Sequence, residues 1–230
     1  MSFIPRVVVL SGAGISAESG IKTFRDNNGL WENHSVEEVA TPEAFHRDPR
    51  LVHRFYNLRR QQLTNGSVEP NKAHLDLAKF EQEWPGEFLL VTQNVDNLHE
   101  AAGSENVIHM HGELLKVRDI NTGKIQTWEE DIDPGKQPTL RPHIVWFGEI
   151  PLMLDEIYRQ LELCEVFISV GTSGNVYPAA GFAQVARRAE RHEVNVESSQ
   201  ISTHFDEHWV GPASEKLPEL LDHLRHRFMT

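Results

Sequence analysis

The sequence predicts an α/β protein in which a mainly parallel sheet carries helices on both faces and a small inserted lobe. Three observations predict it. Short apolar runs rich in branched residues recur at residues 6–10, 88–92, 107–110, 144–147, 166–170 and 193–196, with helix-length stretches between them. Such alternation is the pattern of a parallel sheet covered on both faces. The first run ends in a glycine turn, Gly12-Ala13-Gly14, that leads into a helix. Two segments, 33–66 and 116–142, break the alternation.

Taken in order, the run 6–10 is the first strand. Segment 33–66 reads as helices with no strand between them. Thr41-Pro42-Glu43 is a cap followed by proline in the first turn, and Asp48-Pro49 repeats the arrangement. Further helices are predicted near 71–83, 152–163, 178–191 and 214–227. The last contains Pro218, which a helix tolerates only in its opening turn. Segment 116–142 reads as a β-rich module: a strand at 117–120, a turn at Asn121-Thr122-Gly123-Lys124, a strand at 125–128, then a loop of prolines and acids. Ile120, Ile125, Trp128 and Leu140 are its expected packing residues. The expected division is a large lobe of about 1–32, 67–115 and 143–230, and a small lobe of about 33–66 and 116–142.

The 230 residues, 39% apolar, suffice for one sizeable core. Acidic side chains exceed basic ones by 34 to 22, a net charge of −12. That balance argues against nucleic acid as partner, since phosphate binding needs clustered basic residues. It suits basic, lysine-bearing substrates. No apolar stretch approaches the roughly 20 residues of a membrane span, and the residues before the first strand form no secretion signal. A single cysteine, Cys164, excludes an internal disulfide and points to a reducing compartment. The cytoplasm is the expected location.

Gly12-Ala13-Gly14-Ile15-Ser16-Ala17 fits the dinucleotide fingerprint G-x-G-x-x-G/A directly after a strand. The first glycine permits the tight turn and the second lets a pyrophosphate approach backbone amides. This makes the large lobe Rossmann-like. About twenty residues on, however, where an acid would hold the adenosine ribose, stands Gly29-Leu30-Trp31-Glu32 in a loop. Thr23-Phe24-Arg25 instead offers a cation for phosphate and a ring for a nicotinamide or ribose face. Asn94 and Asp96 follow a strand, an amide that donates and accepts beside a carboxylate that accepts. His109 and His111 lie two apart on one face, so periodicity does not decide which of them does chemistry. Tyr56 and Arg59, three apart in a predicted helix, can converge on one point, a hydroxyl and a forked cation suited to a carboxylate.

Several strings occur in order along nearly the whole chain: Gly12-Ala13-Gly14-Ile15-Ser16, Ser19-Gly20-Ile21, Phe24-Arg25, Thr92-Gln93-Asn94-Val95-Asp96-Asn97-Leu98-His99, His111-Gly112-Glu113-Leu114, Val145-Trp146-Phe147-Gly148-Glu149, Gly171-Thr172-Ser173, Val176-Tyr177-Pro178-Ala179-Ala180 and Gly211-Pro212-Ala213-Ser214. In these the chain resembles the sirtuins, NAD-dependent protein-lysine deacylases, and within them the bacterial class III type. The resemblance implies NAD as a consumed co-substrate and acylated lysine side chains of proteins as partners, the protein working as a monomer. It makes His111 the catalytic base, with Asn94 and Asp96 holding the nicotinamide ribose and carboxamide. The NAD site it implies comprises Gly12, Ala13, Gly14, Ser16, Ala17, Thr23, Phe24, Arg25, Trp31 and Gln93 with Asn94 and Asp96. Gly171, Thr172, Ser173, Asn195, Val196, Glu197 and Ala213 complete it on the adenosine side. Val145, Phe147, Gly148, Glu149, Asn175 and Val176 border the substrate, and Tyr56 and Arg59 match the class III pair for succinyl-, malonyl- and glutaryl-lysine. ADP-ribosyl transfer or NAD hydrolysis is the alternative activity such a site allows, and a non-catalytic NAD sensor a third reading.

The sequence departs from the family at the small module, where most sirtuins bind zinc through four cysteines. Residues 116–142 contain none, and Asp119 stands at the first cysteine position. Structural zinc needs thiolates or imidazoles in close pairs, so no zinc is expected. Lys22, where proline or arginine is more usual, is a milder departure.

Overall fold

The computed structural model describes residues 3–21 and 34–229. β1 (Val7–Ser11) leads through the glycine turn into α1 (Ala13–Ala17). The helical insertion follows: α2 (Val36–Val39), α3 (Pro42–Arg47) and α4 (Pro49–Thr64). Thr41 Oγ1 accepts from the Ala44 amide at 3.0 Å and Asp48 Oδ1 from the Leu51 amide at 3.0 Å, so both sequence caps work as expected. Next come α5 (Lys72–Glu83), β2 (Phe88–Thr92), α6 (Leu98–Ala101) and β3 (Val107–His109). The β module is β4 (Gly112–Asp119), β5 (Ile125–Thr127) and β6 (Leu140–Ile144). The chain ends with α7 (Leu154–Leu163), β7 (Val166–Val170), α8 (Phe182–Val185), β8 (Glu190–Asn195), β9 (Glu207–Val210) and α9 (Ala213–Phe228).

The main sheet has the order β3-β2-β1-β7-β8-β9, and every pairing in it is parallel. Side chains alternate across it. Val7, Val9, Leu90 and Ile168 face α5 and α9, where Leu77, Phe80, Leu217 and Leu221 cover them. Val8, Leu10, Val91 and Phe167 face α7 and α8, against Ile157, Leu161 and Phe182. A third cluster joins Val52, Phe55 and Tyr56 of α4 to Leu114, Ile144 and Trp146, seating the helical insertion on the antiparallel sheet β5-β4-β6. No helix among the described residues is long and apolar enough to cross a membrane.

The structure differs from four of the sequence expectations. Residues 144–147 form no strand of the main sheet: Ile144 ends β6 and pairs with Gly112 across the small sheet. The predicted helix at 178–191 is one 3₁₀ turn (Ala179–Gly181) and the short α8, because Glu190 is already needed opposite Val166 for β8 to pair along the whole of β7. Pro218 lies beyond the opening turn, since α9 begins at Ala213. The main-chain donor it lacks would otherwise serve the Ser214 carbonyl. Finally, Ile120 and Ile125 are half exposed (52% and 47%) and do not pack the module.

Candidate active site

The strand order reverses between β1 and β7, and ligands of open α/β sheets bind outside the carboxyl ends of strands at such a point. Here two loops meet backbone to backbone. The Gly12 amide donates to the Val170 carbonyl at 3.0 Å and the Gly14 amide to the Gly171 carbonyl at 2.8 Å. A Cβ on Gly14 would lie 2.7 Å from Gly171 Cα. Gly171, at φ +65°, would place one 2.4 Å from the Ile15 amide nitrogen. Only glycine fits either position, so the turn before α1 and the loop after β7 pack backbone against backbone at the switch point. Asn195 Nδ2 donates to the Thr172 carbonyl at 2.7 Å and the Gln200 amide to the Ser173 carbonyl at 3.1 Å, binding the loops after β7 and β8 together. Val196 and Glu197 are exposed at that rim. Ala213 opens α9, which is tied to α1 by Ser214, whose amide donates to Glu18 at 3.0 Å.

Ser16, on α1, is the centre of a buried polar group. Its hydroxyl donates to Asp96 Oδ2 at 3.1 Å and accepts from Asn94 Nδ2 at 3.0 Å, with His74 Nε2 at 3.5 Å. His74 Nδ1 accepts from the Asn71 amide, so its proton sits on Nε2 and faces Ser16. Asp96 Oδ1 caps the next turn by accepting from the Leu98 amide at 3.1 Å. Burial raises the Asp96 pKa. Behind Asn94, its amide donates to Thr92 Oγ1 at 3.1 Å, and Ser11 Oγ, 2.8 Å from both Thr92 Oγ1 and His99 Nε2, continues the chain inward. Thr92 and His99 fall within a string quoted above but had no role assigned by it, and His74 and Ser11 were not among the site candidates. Asn71 capping α5 with His74 three residues on is the one local pattern that could have marked them.

The two histidines at 109 and 111 have different partners. His111 Nδ1 lies 3.1 Å from the Gln93 carbonyl, which only accepts, so Nδ1 carries the proton and Nε2 keeps its lone pair. Burial lowers the His111 pKa, which keeps the ring neutral near pH 7. His109 contacts Glu100 Oε1 at 2.6 Å and the Asn94 carbonyl at 3.3 Å. Although burial opposes its charge, the bond to Glu100 raises its pKa. Gly112 holds His111 in place: at φ +83° a Cβ there would lie 2.0 Å from the His143 carbonyl oxygen.

On the substrate side, the Val145 amide donates to the His111 carbonyl at 2.8 Å, and the Phe147 amide to the Ala40 carbonyl at 3.0 Å. The loop therefore runs from the candidate base to the helical insertion. Glu149 braces it, accepting from the Trp146 amide at 2.8 Å and from Arg141 through two nitrogens at 2.7 and 2.9 Å. Despite its burial, those bonds lower the Glu149 pKa. Phe147 and Gly148 are exposed, as is Asn175, next to the half-buried Val176 in the second loop. Tyr56 is fully buried and its phenol accepts from Trp146 Nε1 at 2.9 Å. Arg59 lies over the Phe55 ring at 4.1 Å and donates to the Phe55 carbonyl at 2.9 Å. Burial first, with the nearby charges of Arg141, Glu149 and Arg59, governs the phenol, whose pKa is raised. Tyr56 and Arg59 therefore belong to one charged neighbourhood with the Val145–Glu149 loop. Arg141 and Trp146, which join them, were not among the sequence candidates.

Ala17 ends α1 and is exposed, and the Gln93 amide donates to the Ser11 carbonyl at 2.9 Å. Thr23, Phe24, Arg25 and Trp31 lie outside the described residues, as does Lys22. The small module does not fit a metal. Among the described residues no group of three or more His, Cys, Asp or Glu is arranged to hold one. Asp119 is committed elsewhere: Oδ1 accepts from the Asn121 and Thr122 amides at 3.0 and 2.8 Å, and Oδ2 from Thr139 Oγ1 at 2.6 Å. Cys164 is buried in the main core, a small apolar side chain there.

A parallel sheet with a glycine turn at its switch point, a buried amide and carboxylate after β2, and a neutral imidazole tied to the Gln93 carbonyl between them and β2 define the class: an α/β protein of the dinucleotide-binding kind. The Sir2 family profile matches residues 12–178, and the chain belongs to that family. It is 56% identical over 227 residues to the NAD-dependent protein deacylase of Salmonella typhimurium, covering 95% of this chain and 83% of that one. It is 57% identical over 225 residues to the NAD-dependent protein deacylase of Pasteurella multocida, covering 94% and 96%. A Sir2 homologue solved with NAD superposes with a TM-score of 0.86 at 38% identity, over 96% of this chain and 90% of that one. A Sir2Af2 structure with a myristoylated histone peptide gives 0.74 at 30% identity, over 96% and 92%.

Proposed function

We propose that this protein is an NAD-dependent protein-lysine deacylase that removes acetyl and, preferentially, short dicarboxylic acyl groups such as succinyl and malonyl. The observation that carries the reading is the tautomer of His111. Its Nδ1–H is spent on the carbonyl of Gln93, the residue before Asn94, and Nε2 is left with its lone pair as a base. Bound NAD would supply the ribosyl acceptor for the acyl group, and with one water consumed as the acyl–nitrogen bond breaks the products would be nicotinamide, O-acyl-ADP-ribose and free lysine.

The chain's own groups divide the work. His111 Nε2 takes the proton of a ribose hydroxyl. Asn94 offers an amide and Asp96 a carboxylate to the ribose and carboxamide, with Ser16 fixing both. Gly12, Ala13, Gly14, Ser16 and Ala17 would line the pyrophosphate, and Gly171, Thr172, Ser173, Asn195, Val196, Glu197 and Ala213 the adenosine side. The exposed edges at Val145–Glu149 and Asn175–Val176 suit an extended peptide that pairs through its backbone. Tyr56 and Arg59 would meet a terminal carboxylate on the acyl chain. Their place among Arg141, Glu149 and Trp146 supports this.

The small lobe, about 33–66 and 116–142, is in this reading an insertion without zinc over a large lobe of about 1–32, 67–115 and 143–230. We take a monomer as the working unit, and a lone buried thiol fits a cytoplasmic location.

The test is to incubate the protein with NAD and acetyl- or succinyl-lysine peptides and follow peptide mass and nicotinamide. Acyl loss that needs both NAD and His111 is expected. Nicotinamide release with the acyl group retained would replace this reading with transfer or hydrolysis. Tyr56→Phe and Arg59→Met should each lower desuccinylation at least about tenfold, as a lost charge-assisted bond would, and deacetylation far less. Equal losses on both peptides would remove the carboxylate clamp.

A further inference from the structure

His109 has no part in the chemistry assigned above, yet its geometry is demanding. Its two ring nitrogens lie 2.6 Å from Glu100 Oε1 and 3.3 Å from the Asn94 carbonyl oxygen. A carboxylate and a carbonyl both only accept, so each nitrogen must carry a hydrogen. An imidazole with two N–H groups is a cation. Its side chain is only 7% exposed. A buried cation persists where it is paired and hydrogen-bonded, and here both conditions hold.

We propose that His109 is a charged positioning residue: an imidazolium anchored by Glu100 that fixes the turn carrying Asn94 and keeps the buried Asp96 carboxylate ionised. The proposal rests on the reading of Asn94 and Asp96 given above. The groups that face His109 agree with it. Glu100 comes from α6, Asp96 from the turn after β2, and Glu113 from β4, where Lys116 holds Glu113 at 2.6 Å. His99, also on α6, is kept neutral by burial first and then by the neighbouring His74 and His109 rings. Asp96, 6% exposed, has Ser16 and one amide as hydrogen-bond donors, and burial drives it toward its protonated form. A protonated Asp96 would offer a hydroxyl where an acceptor is needed. The nearby imidazolium opposes that. The end of β3 and the turn after it thus carry two histidines of opposite character: His111 neutral, to take a proton, and His109 charged, to hold an anion in place.

The test has two arms. In ¹⁵N-histidine spectra of the intact protein, assigned with His109→Gln, both ring nitrogens of His109 should show imidazolium shifts at pH 7, and Glu100→Gln should move the ring toward the neutral form. In kinetics, His109→Gln should raise KM for NAD about tenfold at pH 7 and move the acidic limb of kcat/KM up by about one pH unit, the lower end of what an adjacent charge does. At high pH the two proteins should converge. Glu100→Gln should shift the limb in the same direction by less, and it decides the matter if His109→Gln does not fold. A neutral His109 ring at pH 7, or a pH profile unmoved in both variants, overturns the proposal. Failure of the underlying reading looks different: the unaltered protein would release no nicotinamide although its His109 spectrum is that of a cation.

Discussion

At the scale of single residues, the argument turns on which hydrogen bond each histidine makes. His111→Ala should reduce acyl removal by about 10²–10⁴-fold, the usual weight of a general base, while the melting temperature stays close to that of the parent. Steady-state rates beside a thermal melt check both. The pH profile has a definite sign. Burial lowers the His111 pKa, so the base stays neutral above about 6.5, and its limb of kcat/KM should fall only below that value. A loss of activity centred above pH 7 would contradict the assignment. The spacing His109-Met110-His111 could not separate the two rings, because in a continuous strand positions two apart would share a face. What separates them is far away in sequence, the Gln93 carbonyl and the Glu100 carboxylate. Local sequence patterns do not encode such pairings, whereas Gly12, Gly14 and the caps at Thr41 and Asp48 are short-range features and were readable directly.

At the scale of elements, the module β4-β5-β6 is tied to α4 by polar bonds. The hairpin was legible from Asn121-Thr122-Gly123-Lys124 and its flanking strands, and it pairs as Val117 with Gln126. Its anchorage was not, because it is polar. Asn57 on α4 receives the Ile132 amide at 2.9 Å and returns a bond to the Ile132 carbonyl at 3.0 Å. Arg60, fully buried, donates to Asn57 and to the Leu114 carbonyl, and Gln61 donates to Asp131. These residues replace the expected packing by Ile120 and Ile125. Asn57→Ala should destabilise the protein by about 2–3 kcal/mol, the cost of stranding partly buried partners, as read by denaturant titration. Zinc analysis should find far less than one ion per chain, and a chelator should leave the melting temperature unchanged. Stoichiometric zinc would show that ligands lie where none were expected. The residues between 178 and 191 teach the opposite lesson. Their alanines and arginines favour helix, but pairing with β7 claims the chain from Glu190 onward.

At the scale of the molecule, the sheet was legible wherever its strands are fully buried, as at 88–92 and 166–170. It was illegible where they are polar: Glu190-Arg191-His192-Glu193 opens β8, and Glu207-His208-Trp209-Val210 is the edge strand β9. The interior also holds several neutral histidines. Burial lowers the pKa of His53 and His74 to about 4, and lowers His99, His143 and His192 as well. For a base depressed in the folded state, the unfolded chain binds the extra proton first. Stability is then complete above the unfolded value near 6.5 and is lost as pH falls toward 4. His74 alone, fully buried, would contribute on the order of 3 kcal/mol across that window. The melting temperature should therefore drop steeply between pH 6.5 and 4, and a flat profile there would contradict the buried neutral rings. His109, with its raised value, acts in the reverse sense, and its contribution fades as pH climbs through that value.

The register of the small sheet has one more consequence. Gly112 and Ile144, where the chain enters and leaves that sheet, sit opposite each other. A segment whose two ends touch can be lengthened, shortened or exchanged whole without disturbing its host. His111 stands just outside the doorway. The module can thus change its length or its internal ties while the ring at 111 need not move.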